Sequence, residues 1–227
     1  MDDTIFDHAL TSRAALARLQ RSEGALRSRS LSDLWHEYSR LLEEAHPAVV
    51  AGRITVAESR VQRFSTLLEF CGSRPIREEG ARLSSLYRSF YRELRRPVPG
   101  VRGLLERVHR RARVGVVSNN QAAEQDEKLA FLRLTALVDF MIVSEAVGVS
   151  KPDPRIFGLA LERGGTGPEN AVMIGDSWEN DVLGARAAGI RAVWFNRFGA
   201  ERPAPIDVAE VDSFRRPEAV ERVLLGP

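Results

Sequence analysis

Ala171-Val172-Met173-Ile174 is an apolar run that leads directly into Gly175-Asp176-Ser177. A short run of this kind, ended by glycine and polar residues, is typical of a strand buried on both faces of a parallel sheet. Similar runs occur at 114–117, 140–143 and 192–195, and helical stretches at 122–132, 154–162, 180–188 and 217–225 separate or follow them. This alternation predicts an α/β fold with a Rossmann-like parallel sheet core covered by helices.

The region between about residues 8 and 96 has a different period. Apolar residues recur there at helical spacing, as at Leu34, Tyr38 and Leu41, and no convincing strand is present. The run from Thr55 to Glu58 matches a capping box, which predicts a helix that begins there and ends near Gly72. We therefore predict four or five helices in this region, inserted into the α/β core.

Composition restricts the function classes. The chain has 227 residues, 44% hydrophobic and 28% charged, with a formal net charge of +2. Its basic residues alternate with acidic ones, so no basic stripe for nucleic acid is predicted. No apolar run approaches the ~20 residues of a membrane span. Cys71 is the only cysteine, which excludes an intrachain disulfide and favours a cytoplasmic protein. The oligomeric state is left open.

Polar residues follow the first two predicted strands. Ser118 and Asn119 come directly after the strand at 114–117, where a hydroxyl and backbone N–H groups could bind phosphate oxygens. A serine that only caps the next helix is the alternative. Lys151 follows the second strand in a chain that otherwise uses arginine, and it could neutralise a phosphate and a carboxylate together. A plain surface lysine is the alternative, and for Lys128, the other lysine, we predict a surface position.

Two carboxylates follow the third predicted strand. Asp176 and Asp181 lie five positions apart across a turn into a helix. Mg²⁺ prefers oxygen ligands from few carboxylates and retains several waters. A metal site is therefore one interpretation of this pair, and helix-capping acids are the other.

The start of the chain completes a known pattern. Met1-Asp2-Asp3-Thr4 resembles the second half of the Asp-x-Asp-x-Thr motif of the haloacid-dehalogenase superfamily, with Asp2 as its second aspartate. Ser118 matches the second motif of that superfamily, Lys151 the third, and Asp176 with Asp181 the fourth. The stretches 97–100, 144–152 and 175–177 are similar to the branch that contains pyrimidine 5′-nucleotidases.

The resemblance implies a role for each matching residue. A first aspartate attacks phosphorus to form an aspartyl-phosphate, while Asp2 acts as acid and base and its carbonyl binds Mg²⁺. Asp176 would bind the metal directly, and Asp181 would bind it through water or steady Lys151. Ser118 and the Asn119 N–H would hold phosphoryl oxygens, and Lys151 would offset transition-state charge. Residues 1–7 and 97–227 would form the core, and residues 8–96 a helical cap.

In this alignment the attacking aspartate falls one position before Met1, so we expect the first strand and the nucleophile to lie upstream. The predicted function is a Mg²⁺-dependent phosphomonoester hydrolase acting on small phosphates, with nucleoside monophosphates first. A sugar-phosphate or phosphoglycolate phosphatase is an alternative. A non-catalytic relative that binds a phosphate ligand or a partner is another, although an acid/base residue at Asp2 would be of little use to it.

Aromatic residues of the helical region allow two interpretations. At helical spacing they are typical of a core, but one of them could stack a nucleobase: Trp35, Tyr38, Tyr87 and Tyr91. His8 could contact substrate or pack within the linker.

Overall fold

The chain folds into two units, one formed by Met1–Asp7 with Arg96–Pro227 and the other by His8–Arg95. A computed structural model describes residues 1–50, 52–74 and 76–226. Within these ranges, no helix is both long and apolar enough to cross a membrane.

The unit His8–Arg95 consists of helices. They are α1 (His8–Ser22), α2 (Leu31–Val50), α3 (Val56–Phe70) and α4 (Arg77–Glu93), with a short 3₁₀ turn over Gly24–Ser28. No strand occurs in the described part of this unit. The capping box at the start of α3 is confirmed: the Thr55 hydroxyl accepts from the Glu58 N–H at 3.1 Å, and Glu58 accepts from the Thr55 N–H at 2.9 Å.

The interior of the helical unit is apolar and aromatic. Leu16, Leu34 and Phe64 are fully buried. Burying a side chain of this size contributes roughly 1.5–3 kcal/mol, so these helices are held mainly by their shared apolar face.

The other unit carries the parallel strands. They are β1 (Gly115–Ser118), β2 (Phe140–Val143), β3 (Val172–Gly175), β4 (Arg191–Phe195) and β5 (Ala209–Val211). β1 pairs with β2, while β3, β4 and β5 form a second ladder in that order. The α/β class with parallel strands is confirmed. Among the described residues, no strand pairs with both β1 and β3, so the strands form two separate ladders.

Helices fill the connections between these strands. They are α5 (Val101–Val108), α6 (Ala122–Phe131), α7 (Ser144–Val147), α8 (Pro154–Gly164), α9 (Gly184–Ala187) and α10 (Pro217–Leu225). The turn Trp178–Leu183 before α9 is a π-helix, where a regular helix from residue 180 was predicted. Single-turn π segments are frequent at functional sites. Ile156, Phe157 and Val182 are buried in one core with Trp194, which fixes the connections against the strands.

Two linkers join the units, and they are hydrogen-bonded to each other. The Asp7 N–H donates to the Arg96 carbonyl at 3.0 Å, and the Val98 N–H donates to the Ile5 carbonyl at 2.9 Å. Phe6 and Pro97 form an antiparallel bridge between these bonds. The chain therefore leaves and re-enters the strand-containing unit at neighbouring points.

Candidate active site

Asp176 follows β3 at the carboxyl edge of the strands. Its Oδ1 accepts a hydrogen bond from the Thr4 hydroxyl at 2.8 Å, and its carbonyl accepts from the Trp194 indole at 3.0 Å. Burial, and next the nearby Asp181 carboxylate, raise the pKa of Asp176 to about 6. Among the described residues, no lysine or arginine forms an ion pair with Asp176. The site therefore holds a carboxylate whose negative charge is poorly compensated by the protein.

Asp181 is buried in the π-helical turn and forms an ion pair with Lys151. The Lys151 ammonium lies 2.6 Å from Oδ1 of Asp181, and the Ser177 N–H donates to Oδ2 at 3.1 Å. The turn brings Asp181 against Gly175, where a Cβ atom would stand 2.2 Å from Oδ2 of Asp181. Glycine is needed at this strand end because any larger residue would displace the carboxylate.

Lys151 links the two ladders. Besides the Asp181 carboxylate in the turn that follows β3, its ammonium donates to the Val117 carbonyl of β1 at 2.9 Å. The loop that carries Lys151 is tied to the end of β1 by the Asn119 side chain. That side chain accepts from the Lys151 N–H at 2.7 Å and donates to the Lys151 carbonyl at 2.8 Å. Ser118 ends β1 and is buried. Ser118, Asn119 and Lys151 thus lie at one edge, as the parallel topology requires.

Asp2 is held by α6 and the turn before it. Its Oδ1 lies 2.7 Å from the Lys128 ammonium, and its Oδ2 accepts from Asn120 at 3.1 Å and Gln125 at 3.4 Å. The Asp2 side chain therefore contacts α6, whereas Asp176 contacts Thr4 and Asp181 contacts Lys151.

Direct contacts link the predicted site residues to one another. Thr4 donates to Asp176 at 2.8 Å, Lys151 lies 2.6 Å from Asp181, and Asn119 bonds to the Lys151 backbone at 2.7 and 2.8 Å. Residues predicted from three separate motifs and from the start of the chain are therefore joined by direct hydrogen bonds and an ion pair.

The carboxylates at this site can be compared with the ligands that a divalent cation requires. No three Asp, Glu, His or Cys side chains form a ready cluster within the part of the chain that the structure describes. Mg²⁺ does not need one, since one or two carboxylates, waters and substrate phosphate commonly suffice. Asp176, whose pKa is raised by burial and next by Asp181 and which pairs with no lysine or arginine in the described ranges, offers such a carboxylate. The residues present therefore fit Mg²⁺.

The prediction for Lys128 is wrong. Its side chain is fully buried, and besides Asp2 it contacts Glu124 at 3.1 Å. The sequence placed it among charged residues, and only the packing of α6 shows that this position faces inward. Sequence reasoning also missed Asn120 and Gln125. For Lys128, the one signal in the sequence was that lysine is scarce in this chain.

The aromatic residues of the helical unit form its core. Tyr38, Tyr87 and Tyr91 are buried, with the Tyr38 and Tyr87 rings 5.3 Å apart. Trp35 stacks on Tyr38 at 6.2 Å. Nδ1 of His8 lies 2.8 Å from the Tyr91 hydroxyl. These contacts favour packing roles, and a contact of His8 with substrate stays a prediction.

Comparisons with known proteins show which family the chain is similar to. The family model for haloacid dehalogenase-like hydrolases matches residues 64–195. A phosphoserine phosphatase of Thermus thermophilus is 32% identical, covering 87% of this chain and 86% of that protein. Pyrimidine 5′-nucleotidase YjjG of Escherichia coli is also 32% identical, over 68% and 67% of the two chains. The crystal structure of the HAD-hydrolase YfnB of Bacillus subtilis, bound to magnesium, superposes with a TM-score of 0.77 and 26% identity, covering 99% of this chain and 95% of that one.

Proposed function

Because the chain belongs to the haloacid dehalogenase-like hydrolase family, we propose that it is a Mg²⁺-dependent phosphomonoester hydrolase that acts through an aspartyl-phosphate. The observation that carries the proposal is that Lys151 pairs with Asp181 at 2.6 Å and bonds to the end of β1 at 2.9 Å, while Thr4, two positions after Asp2, holds Asp176 at 2.8 Å. A cation, an acid/base carboxylate and a carboxylate available for metal are what phosphoryl transfer needs.

The phosphoryl group is held at the strand ends in this proposal. The Ser118 hydroxyl and the Asn119 N–H bind its oxygens, and the Lys151 ammonium offsets the charge that develops on them. The Asn119 side chain keeps Lys151 in place through its two bonds to the Lys151 backbone. Asp181 orients the ammonium from its other side.

Asp2 moves the proton. An attacking carboxylate, as the family motif implies, forms a bond to phosphorus as the bond to the leaving oxygen breaks. Asp2 gives its proton to that oxygen. Water then loses a proton to Asp2 and attacks phosphorus, which releases phosphate and frees the carboxylate. General acid–base catalysis of this kind typically contributes 10²–10⁴-fold.

Mg²⁺ would be held by the Asp176 carboxylate and the Asp2 carbonyl, with Asp181 contributing through water. The ion supplies positive charge that stabilises the transferring phosphoryl group. The Thr4 hydroxyl orients the Asp176 carboxylate from the protein side.

We propose small soluble phosphates of the cytoplasm as substrates, with nucleoside monophosphates first. Similarity to the pyrimidine 5′-nucleotidase of Escherichia coli supports the inclusion of nucleoside monophosphates. Phosphoserine and sugar phosphates belong to the same test panel, since a phosphoserine phosphatase and glyceraldehyde 3-phosphate phosphatases are also among the relatives.

Release of inorganic phosphate from this panel with Mg²⁺ tests the proposal. The 227-residue chain is compared with a chain that carries aspartate ahead of Met1 and with a matched control that carries alanine there. We expect turnover from the aspartate form. Asp2→Asn in that form should lower kcat by about 10²–10⁴-fold. Absence of turnover in every form, with phosphate still bound, would instead support the non-catalytic alternative.

A further inference from the structure

Lys128 is a buried charge at the edge of the candidate active site. Its side chain has no exposed surface, and its ammonium lies 5.0 Å from the centre of the Phe6 ring. A lysine in such surroundings loses hydration and is stable only when it is paired. Its partners are Glu124 at 3.1 Å and Asp2 at 2.7 Å.

Glu124 already supplies a counter-charge. It lies four positions before Lys128 on α6, the spacing at which helical side chains meet. The contact with Asp2 is therefore not required to neutralise the ammonium. The ammonium thus lies between Glu124 at 3.1 Å and the Asp2 Oδ1 atom at 2.7 Å.

The Asp2 carboxylate is fixed at both oxygens. Lys128 holds Oδ1, and the side-chain amides of Asn120 and Gln125 hold Oδ2. All three donors belong to α6 or to the turn that opens it. The Asp2 side chain nevertheless stays 28% exposed, so solvent reaches part of it.

We infer that Lys128 is a positioning residue that, with Glu124 behind it, holds the Asp2 carboxylate in the one orientation suited to proton transfer. The inference rests on the proposed function, because it takes Asp2 as the acid and base of that reaction. Lys128 itself does not reach the substrate in this scheme. It acts only through Asp2.

The dependence of the rate on the leaving group tests this role. Proton donation matters most when the leaving oxygen is an alkoxide and little when it is a stabilised nitrophenolate. Lys128→Met, made in the chain that carries aspartate ahead of Met1, keeps the length and apolar stem and removes the charge. We expect kcat on an alkyl phosphate to fall about 100-fold, within the range for loss of an acid/base group, and kcat on p-nitrophenyl phosphate to fall less than about tenfold.

Asp126→Asn is the matched control. Asp126 is exposed on the same helix, so its removal should leave both rates unchanged. Equal losses on the two substrates in Lys128→Met, or no loss on either, would overturn the inference, since a merely structural lysine would not distinguish leaving groups.

A crystal structure of Lys128→Met gives a second measurement that does not need turnover. We expect the Asp2 carboxylate to leave Asn120 and Gln125 and adopt another rotamer. An Asp2 side chain that keeps both contacts in the variant would refute the positioning role even in an active enzyme. A chain with aspartate ahead of Met1 that hydrolyses no phosphate, but whose Asp2 moves in the variant, would instead refute the proposed function alone.

Discussion

Asp181→Asn should be among the most destabilising single changes at the strand ends. The Lys151 and Asp181 side chains are 7% and 5% exposed, and their charged atoms lie 2.6 Å apart. Removing one charge of a buried pair leaves the other uncompensated, which typically costs about 3–5 kcal/mol. Since the asparagine oxygen can still accept from Lys151, we expect a value near the lower end, about 3 kcal/mol.

The second charge can then be removed as well. In the double variant Lys151→Met, Asp181→Asn, no ammonium is left buried without a counter-charge, and replacement of a whole buried pair by neutral groups is often close to neutral. We therefore expect the double variant to be more stable than Asp181→Asn alone. Glu106→Gln serves as the control, because its pair with Arg102 is exposed at both ends and should be worth less than about 1 kcal/mol.

Equilibrium urea unfolding measures these differences. In a Trp35→Phe background the remaining tryptophans, Trp178 and Trp194, both lie in the strand-containing unit, with ring centres 5.1 Å apart. Their fluorescence therefore reports unfolding of that unit. A loss below about 1 kcal/mol for Asp181→Asn, the size expected of an exposed pair, would refute the reasoning. A double variant Lys151→Met, Asp181→Asn that is less stable than Asp181→Asn alone would also refute it.

Two further predictions concern the capping box and the metal. Thr55→Ala removes the hydroxyl that accepts from the Glu58 N–H and should destabilise the helical unit by about 1 kcal/mol, measured by thermal unfolding followed by circular dichroism; an unchanged midpoint would contradict it. Mg²⁺ at about 100 times its Kd should stabilise the wild-type protein by about 2.7 kcal/mol, and Asp176→Asn should abolish that gain in a calorimetric scan. Equal stabilisation of both proteins would show that Asp176 is not a ligand.

Periodicity predicted the regular parts of the fold. The apolar run at β2 and the proline-opened helix α10 were bounded to the residue, because each is flanked by residues that stop it. β5 and α7 were missed. β5 has only three residues, two of them exposed, and α7 has four, so neither presents enough apolar positions for a period to be seen.

The candidate active site could also be predicted from the sequence only in part. Ser118, Lys151, Asp176 and Asp181 could be placed together from the sequence because parallel strands deliver their carboxyl ends to one edge. The environment of Asp2 could not. Which face of α6 packs inward is a tertiary property, and the contact between Asp2 and Lys128 joins residues 126 positions apart. Local pattern carries no information about such a pair.

The paired linkers have a consequence for how the protein can be rebuilt. With the Asp7 N–H and the Arg96 carbonyl 3.0 Å apart, the two ends of the helical insertion are spaced like the ends of a tight hairpin. Insertions tolerated by folded domains commonly have such adjacent ends. The helices could therefore be excised and replaced by a short turn, or exchanged for a foreign bundle, without stretching the polypeptide on either side. The strand-containing unit could in this sense accept a different inserted domain at the same position.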